Sequence, residues 1–247
     1  MPRYFAHISH KGPAMSLLES FAKRTFDFVL PGPSDGKNGA LQSLVYGFEE
    51  HKRDRNLEPL FEIYRRGSRT ESIWSGLGTL GYEIVKHFRP RRVVELGTYE
   101  GFSACAMALA LRDLGEGGTV RAVDTWEGDP NTHAYNSDEV YQRFSNLRKE
   151  LGLEDVIVPL RMTFEKASQV IEPGIDMLHI DGWHTYRAVS TDFKQFRPLL
   201  APGAIVMFHD VNNPLFRGMR LFWRRVSWTY PSVLIPYSSG LGIIQVT

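Results

Sequence analysis

Two patterns of apolar residues alternate along the chain from residue 70 onward. Segments with apolar positions three and four residues apart predict amphipathic helices, with Thr70 or Ser72 capping the first and Ser137 the third. Short apolar runs between them predict buried strands. Because strands joined through helices run parallel, this order predicts a doubly wound α/β sheet. The predicted helices are 70–88, 102–115, 137–152, 164–171, 186–200 and 215–227, and the predicted strands are 91–97, 118–125, 156–162, 175–181, 203–211, 232–238 and 241–247.

The first 70 residues lack this periodicity. They mix aromatic and charged residues and contain a loop-like segment at 31–39. We therefore expect an N-terminal extension over 1–70 and an α/β domain over 71–247. Aromatic side chains of the extension need burial, so we expect it to form a lid or an oligomer contact, as in a homo-oligomer such as a dimer. They are Tyr4, Phe5, Phe21, Phe26, Phe28, Tyr46 and Phe48.

The composition is that of an ordinary globular protein, with 43% hydrophobic and 23% charged residues among 247. The net charge of +1 gives no general field to attract nucleic acid or an anionic membrane, so basic clusters such as Arg224 and Arg225 are interpreted as solvated surface. The chain has one cysteine, no run of about 18 apolar residues and no signal-peptide pattern. We expect no nucleic-acid partner, no membrane insertion and a cytoplasmic location.

Acidic residues follow four of the first five predicted strands. In open α/β sheets, ligands bind beyond the carboxyl ends of the strands, so these acids are candidates for a site. The segment ELGTYEG places Gly97 and Gly101 in a strand-to-helix turn, which leaves room for a ligand, although many such turns use glycine for steric reasons. Asp124 ends the next strand, where a carboxylate can accept hydrogen bonds from two vicinal ribose hydroxyls.

The segment VVELGTYEGFSA, followed by Asp124, resembles the first motif and the ribose-binding acid of class I S-adenosylmethionine-dependent methyltransferases. The resemblance covers 70–247 and implies a Rossmann-like sheet of seven strands, mainly parallel with an antiparallel last strand. The resemblance also implies that 71–247 is a methyltransferase domain with S-adenosylmethionine as its cofactor. The cofactor-binding residues that it implies are Glu95, Gly97, Thr98, Tyr99, Gly101, Ser103, Asp124, Thr125, Thr163, Asp181 and Trp183.

The segments HIDGWHTY and APGAIVMFHDV are similar to those of metal-dependent O-methyltransferases, both the catechol type and relatives acting on antibiotic sugars. This resemblance implies a divalent cation, usually Mg²⁺, bound by Asp181 and Asp210. The third position departs from both family patterns, and His209 is our candidate for the third ligand. The catechol type has Asn where this chain has Val211, and the sugar type often has an acid at the position of His209. A nitrogen ligand suits Mg²⁺ less well and admits manganese, iron or zinc, and Asn212 is an alternative oxygen ligand.

His184 follows Asp181 by three residues. With an ordinary pKa of about 6.5, it is the natural general base, and these two residues are the predicted catalytic groups. A lone histidine is more often structural, but its place after a metal-binding acid favours the functional role. In the resemblance, Trp183 matches an aromatic residue beside the adenine of the cofactor; its alternative role is to cover the sheet edge.

The segment after the second predicted strand is long, polar and rich in aromatic residues, which suits a polyhydroxylated ligand. We therefore expect the acceptor to be a hydroxyl of a sugar or glycoside, in a small molecule or an oligosaccharide, rather than a catechol. The alternative for this segment is a loop without substrate contact. The alternative functions of the protein are a cephalosporin-hydroxylase-like metal oxygenase and a nucleotide-binding protein without catalysis. The predicted substrate residues are Trp126, Asp129, His133, Tyr135 and Asn212.

Overall fold

Seven strands form one sheet, with apolar helix faces packed on both of its sides. The structure is a computed structural model that describes residues 59–60, 62–63, 77–128, 136–236 and 238–246. The strands are β1 Arg92–Leu96, β2 Thr119–Asp124, β3 Ile157–Arg161, β4 Ile175–Ile180, β5 Leu200–His209, β6 Ser232–Ile235 and β7 Leu241–Gln245. The helices after residue 76 are α1 Gly78–Phe88, α2 Phe102–Leu114, α3 Ser137–Glu150, α4 Phe164–Val170, α5 Tyr186–Phe196 and α6 Arg217–Thr229, with a 3₁₀ turn at Arg197–Leu199.

The strand order is β3-β2-β1-β4-β5-β7-β6. Strands β1 to β5 are mutually parallel, whereas β7 runs antiparallel between β5 and β6. This confirms the expected Rossmann-like sheet, mainly parallel with an antiparallel last strand. Because β1 pairs with β2 on one side and with β4 on the other, the strand order reverses at β1. Folds of this kind bind ligands at such a reversal, beyond the carboxyl ends of the strands.

The two faces of the sheet have separate apolar cores. On one face α1, α2 and α3 pack against the strands, and the alanine-rich α2 is buried over its first ten residues. Cys105 lies within this buried part, as a small apolar residue would. On the other face α4, α5 and α6 pack against the strands, with Phe222 and Trp223 of α6 buried. None of the described helices is long and apolar enough to cross a membrane.

The start of α3 differs from the expected one. Asn136, not Ser137, caps this helix, because its side-chain oxygen accepts hydrogen bonds from the backbone N–H groups of Asp138 and Glu139. Ser137 is instead the first helical residue. Asparagine and serine are equally common caps, so the sequence alone does not distinguish the two adjacent positions.

The expected N-terminal extension lies mostly outside the described residues. The same holds for the expected start of the first helix at Thr70 or Ser72. Leu60, which is described, is fully buried in the core on the α1 side of the sheet. At least this side chain from before residue 70 therefore packs into the α/β domain, and the division at 70 stays a prediction.

Asp192 lies on the buried side of α5, where it is 8% exposed. Burial raises the pKa of its carboxyl group from 3.8 to about 7. Because this pKa lies above that of the unfolded chain, the protein loses stability as the pH rises from about 4 to about 7. We expect Asp192→Asn to increase the free energy of unfolding by about 2–4 kcal/mol at about pH 8 and to change it little at about pH 4.

Denaturant unfolding of both proteins at the two pH values measures this difference. Asp155→Asn is the matched control, since Asp155 is exposed. A gain of the same size at both pH values, or in both variants, would show that the ionisation of Asp192 does not limit stability.

Candidate active site

The carboxyl ends of β1 and β4 touch through their backbones. Gly97, directly after β1, has a φ of +94°, and a Cβ on it would lie 2.2 Å from the carbonyl oxygen of Asp181. Glycine alone tolerates both this φ and this approach. The backbone N–H of Asp181 also donates to the carbonyl oxygen of Leu96, at 2.8 Å. The turn after β1 is therefore fixed beside Asp181, the first residue after β4.

The turn from β1 to α2 has little space and contains buried polar atoms without a hydrogen-bond partner among the described residues. Gly101 has a φ of +83°, and a Cβ on it would lie 2.3 Å from the ring of Phe144. The hydroxyl oxygen of Thr98 is buried and has no hydrogen-bond partner among the described residues. Contacts within the protein thus require both glycines of the predicted cofactor motif. Their role in cofactor binding stays a prediction, and Thr98 offers a ligand one free polar group.

Asp124 connects the turn after β1 to the turn after β2. One of its carboxylate oxygens accepts the backbone N–H of Tyr99 at 2.9 Å, and the other accepts that of Trp126 at 2.8 Å. Burial raises the pKa of Asp124, and these backbone hydrogen bonds, with one from Thr98, partly offset the rise. A carboxylate has about four acceptor positions, so two ribose hydroxyls can still bind. The predicted ribose-binding acid is therefore also a structural one.

Glu95 lies beneath this turn and has no exposed surface. Its Oε1 accepts a hydrogen bond from Ser103 Oγ at 2.6 Å and lies 3.0 Å from Nδ1 of His179. This carboxylate thus holds α2 to β1 from below, and the direct cofactor contact expected for Glu95 stays a prediction. Ser103 is buried in the same network. Sequence reasoning did not single out His179, which pairs with Glu95 across β1 and β4.

Trp126 is fully buried, so the structure gives no support to the expected contact between its ring and a substrate. The indole stacks on Phe144 with ring centroids 5.3 Å apart, and its edge meets Tyr141 at 4.8 Å. Its Nε1–H donates to the carbonyl oxygen of Tyr99 at 2.7 Å. Trp126 thus supports the turn after β1 from inside the core. The other substrate residues predicted nearby, Asp129, His133 and Tyr135, lie outside the described residues.

Four titratable side chains meet beyond the ends of β4 and β5. Nε2 of His184 lies 3.3 Å from Oδ1 of Asp181 and 3.0 Å from Oδ2 of Asp210. Nδ1 of His209 lies 3.1 Å from the same oxygen of Asp181 and 3.5 Å from Oδ2 of Asp210. The structure thus brings together the three predicted metal ligands and places the predicted base among them. We call Asp181, His184, His209 and Asp210 the His/Asp cluster.

Pairing within the His/Asp cluster shifts the pKa values of Asp181, His184 and His209. Burial alone would raise the pKa of Asp181, but the charge of His209 and hydrogen bonds from both histidines hold it well below its usual range. Burial alone would lower the pKa of His184, but Asp181 and Asp210 raise it to about 10. The same two acids raise the pKa of His209 against its burial. The carboxylates of the His/Asp cluster therefore favour the protonated form of the imidazoles that face them.

Neighbouring groups fix both imidazole rings. The ring of Phe216 is stacked on that of His184, with centroids 4.2 Å apart and planes 10° apart. Nε2 of His209 faces the carbonyl oxygen of Ser238 at 3.3 Å, which leaves Nδ1 toward the carboxylates. Phe216 carries no sequence signal for this role, because it acts from the start of α6 on a residue more than thirty positions away.

The carboxamide that reaches the His/Asp cluster belongs to Asn213, not to Asn212. Nδ2 of Asn213 donates to Oδ1 of Asp210 at 3.0 Å. Asn212 is exposed, and its backbone N–H donates to the carbonyl oxygen of Ser239. Asp210 itself has a φ of +60°, a backbone strain that concentrates at functional sites. The structure therefore gives no support to Asn212 as a metal ligand and adds Asn213 as a group that orients Asp210.

The donor set of the His/Asp cluster fits a small divalent cation. Asp181, His184 and Asp210 each offer a ligand atom, and these atoms lie within 4.8 Å of one another. Two ligands at right angles, each about 2.1 Å from a metal ion, are about 3 Å apart. The nitrogen–oxygen separations of 3.0–3.5 Å match this value. His184 is thus a second possible nitrogen ligand beside the predicted His209.

The remaining predicted cofactor residues lie around the same sheet edge. Trp183 lies three residues after the end of β4, and its side chain is 41% exposed. Oγ1 of Thr163 accepts the backbone N–H of Lys166 and so caps α4. Oγ1 of Thr125 accepts the backbone N–H of Glu127 at 3.3 Å. Both threonines have local structural bonds, and the cofactor roles of all three residues stay predictions.

Comparison with known sequences assigns the central part of the chain. A family model described as a methyltransferase domain matches residues 94–211. A protein of Sinorhizobium fredii, described as uncharacterized protein y4gI, is 38% identical over 178 residues, which are 70% of this chain and 19% of that protein. The matched segment therefore spans about a fifth of the length of this relative.

Solved structures share the fold at low sequence identity. An O-methyltransferase from Bacillus cereus in complex with SAH is 16% identical, with a TM-score of 0.58 over 79% of this chain and 92% of that one. The O-methyltransferase TomG from Streptomyces achromogenes, in complex with SAM, is 16% identical, with a TM-score of 0.57 over 87% and 99%. The methyltransferase-domain match over residues 94–211 and the fold shared with these structures confirm the resemblance to class I S-adenosylmethionine-dependent methyltransferases.

The hydrogen bonds that Asp124 accepts from two turns lead to a prediction about stability. Asp124→Ala removes the acceptor of the Tyr99 and Trp126 N–H groups together. We expect it to lower the free energy of unfolding by about 2–4 kcal/mol, and Asp124→Asn, which keeps one acceptor oxygen, to cost about half as much. Chemical denaturation measures both, with Glu127→Ala at a neighbouring exposed position as control. Wild-type stability in Asp124→Ala would show that this carboxylate does not hold the two turns.

Proposed function

We propose that this methyltransferase-domain protein transfers the methyl group of S-adenosylmethionine to a hydroxyl of a sugar or glycoside. The observation that carries this proposal is the His/Asp cluster, which lies beside the glycine turn after β1. Two solved structures of the same fold, one with SAH and one with SAM, are described as O-methyltransferases. A cluster that can bind a cation and accept a proton is what transfer to a hydroxyl requires.

The cofactor binds at the turn between β1 and α2. Gly97 and Gly101 keep the backbone of this turn free of side chains, and the buried hydroxyl of Thr98 takes a hydrogen bond from the cofactor. Asp124 uses its remaining acceptor positions for the two ribose hydroxyls. The exposed ring of Trp183 packs on the adenine. Glu95 acts from below, by holding Ser103 and the start of α2 in place.

Asp181, His209 and Asp210 hold one divalent cation, for which Mg²⁺ is the first candidate. With a nitrogen ligand in the set, manganese, iron and zinc are the next candidates. When bound, the cation supplies Lewis-acid chemistry: it lowers the pKa of the acceptor hydroxyl and orients it toward the methyl group. Asn213 keeps Asp210 in place through the hydrogen bond to its Oδ1.

His184 accepts the proton of the attacking hydroxyl at Nε2, the nitrogen that faces the carboxylates. The hydroxyl oxygen forms a bond to the methyl carbon as the carbon–sulfur bond breaks, and the electron pair of that bond stays on sulfur. A cation held by Asp181 and Asp210 would offset the negative charges that raise the pKa of His184 and would so favour the neutral imidazole. Stacking on Phe216 holds the ring in one plane during the transfer.

The choice of a sugar acceptor rests on the segment that follows β2. It contains Asp129, His133 and Tyr135, and it is polar along most of its length. Carboxylates and imidazoles suit hydroxyl groups, and an aromatic ring suits the face of a sugar. Because Trp126 is buried, Tyr135 is the aromatic residue left in this segment for that contact.

Metal binding and proton transfer are separable by two substitutions. His209→Ala should weaken binding of Mg²⁺ or Mn²⁺ by about 100-fold or more, as measured by calorimetry, because it removes a ligand. His184→Ala should keep the metal affinity within a few-fold and lower methyl transfer by about 10²- to 10⁴-fold. His87→Ala, at an exposed position on α1, is the control. The opposite pattern, with metal affinity lost in His184→Ala, would exchange the two roles.

The acceptor is tested with methyl-labelled S-adenosylmethionine and a panel of free sugars, oligosaccharides, glycosides and catechols. We expect label on a sugar or glycoside hydroxyl and loss of transfer when a chelator is added. Asp181→Ala should bind S-adenosylmethionine yet transfer no label. Label on catechols alone would overturn the sugar proposal, and transfer undiminished by chelator and by Asp181→Ala would overturn the metal role.

A second candidate is a ferrous oxygenase on the same fold. Two imidazole nitrogens and two carboxylates within one cluster are donors that ferrous iron accepts. Iron in the purified protein, together with oxygen consumption and no label transfer in the panel above, would favour this function. Binding of S-adenosylmethionine without either reaction would instead favour a nucleotide-binding protein without catalysis.

A further inference from the structure

The last quarter of the chain is rich in positive charge. Residues 184–247 contain seven arginine and lysine residues and two acidic ones. Both acids, Asp192 and Asp210, are buried. The exposed charges of this quarter of the chain are therefore all basic, although the whole chain has a net charge of only +1. They lie on α5, on the 3₁₀ turn that follows it, and on α6.

The outer side of α6 combines these charges with large apolar side chains. Its four arginines are Arg217, Arg220, Arg224 and Arg225, and the helix has no acidic residue. All four are exposed, and none forms an ion pair with a carboxylate of the described residues; Arg225 donates to the hydroxyl oxygen of Tyr186. Trp228 is 82% exposed, Leu221 46%, and Leu215, just before the helix, 84%. We call Leu215, Arg217, Arg220, Leu221, Arg224, Arg225 and Trp228 the α6 outer face.

Helical spacing places these residues on one side. Arg220, Arg224 and Trp228 follow one another at intervals of four, which aligns them along the helix. The opposite side of α6, with Met219, Phe222, Trp223 and Val226, is buried against the sheet. The exposed tryptophan is therefore not needed for the core. A large apolar side chain left this exposed among cations indicates a binding surface.

We propose that the α6 outer face binds the surface of a membrane that contains anionic phospholipids. Guanidinium groups pair with lipid phosphates, and tryptophan and leucine side chains enter the interface between head groups and acyl chains. Each arginine near such a surface strengthens binding about fivefold. The contact is peripheral, along the length of the helix, and crosses no membrane.

The arrangement of the α6 outer face favours a bilayer over an acidic protein. Protein interfaces have an apolar centre with a polar rim. Here the two most exposed apolar residues, Leu215 and Trp228, lie at opposite ends of the α6 outer face in the sequence, with the arginines between them. Leucine side chains also contribute little to binding a nucleic acid, whose phosphates bind cations and whose bases stack on aromatic side chains.

The α6 outer face is connected to the His/Asp cluster. Phe216, which stacks on His184, immediately precedes α6. Gly218 packs so closely on the start of α5 that a Cβ on it would lie 2.3 Å from the backbone nitrogen of Tyr186. If the function proposed above holds, a protein bound to the membrane through α6 receives its acceptor hydroxyl from the membrane side.

Vesicle binding tests the proposal with the full chain, without S-adenosylmethionine or acceptor, so that its outcome is independent of methyl transfer. Co-sedimentation compares vesicles of phosphatidylcholine and phosphatidylglycerol with vesicles of phosphatidylcholine alone. We expect binding to the anionic vesicles only, and weaker binding as salt is added. The double variant Arg220→Gln/Arg224→Gln should bind about 10- to 30-fold more weakly. Trp228→Ala should bind at least about threefold more weakly.

The matched control is Lys86→Gln/Lys149→Gln, which removes two positive charges from α1 and α3 on the other side of the sheet. It should bind the anionic vesicles within about twofold of wild type. Absence of vesicle binding, equal binding to both lipids, or equal losses in the two double variants would overturn the proposal. Binding of polyglutamate or an oligonucleotide through Arg220 and Arg224, without vesicle binding, would assign the face to an acidic macromolecule instead.

Discussion

The contact between Gly97 and Asp181 is the constraint on which the rest of the site depends. Because a Cβ at Gly97 would lie 2.2 Å from the carbonyl oxygen of Asp181, the ends of β1 and β4 can meet only through a glycine. This contact sets the glycine turn next to the His/Asp cluster. In a methyl transfer the sulfonium and the hydroxyl must approach in line, within a few ångströms. The distance between the glycine turn and the His/Asp cluster is therefore fixed by the backbone of two adjacent strands, not by a flexible side chain.

Backbone strain gathers at the same edge of the sheet. Tyr99, Trp126 and Asp210 each follow a strand and each have a positive φ, at a cost of about 1–3 kcal/mol for a residue other than glycine. The surrounding contacts hold two of these turns together: Asp124 accepts the N–H groups of both Tyr99 and Trp126. Burial of Trp126 stabilises a conformation that the local sequence alone would disfavour. The core under the sheet edge thus helps to maintain the shape of the site above it.

The sequence was sufficient for the fold and for the meeting of polar side chains beyond the strand ends. Alternation of helix and strand patterns predicted the parallel sheet, and acids at the strand ends predicted where ligands bind. It was not sufficient for the direction of individual side chains. Trp126 lies in a polar segment, yet its positive φ turns the indole into the core. Phe216 and Asn213 act on the His/Asp cluster from the loop before α6, and their contacts exist only once that loop is folded.

Charge at the His/Asp cluster is balanced in two ways that the same geometry permits. With protons on both imidazoles, two positive rings face two carboxylates, and the group is neutral. With one divalent cation and both imidazoles neutral, the group is neutral again. Two protons and one divalent cation are therefore interchangeable in charge, and the separations of 3.0–3.5 Å suit hydrogen bonds and metal ligands alike. Buried carboxylates are costly unless they are paired. Asp181 and Asp210 would have a partner in either state, the imidazolium groups or the cation. Replacement of the two protons by a cation would therefore require no rearrangement of the folded site.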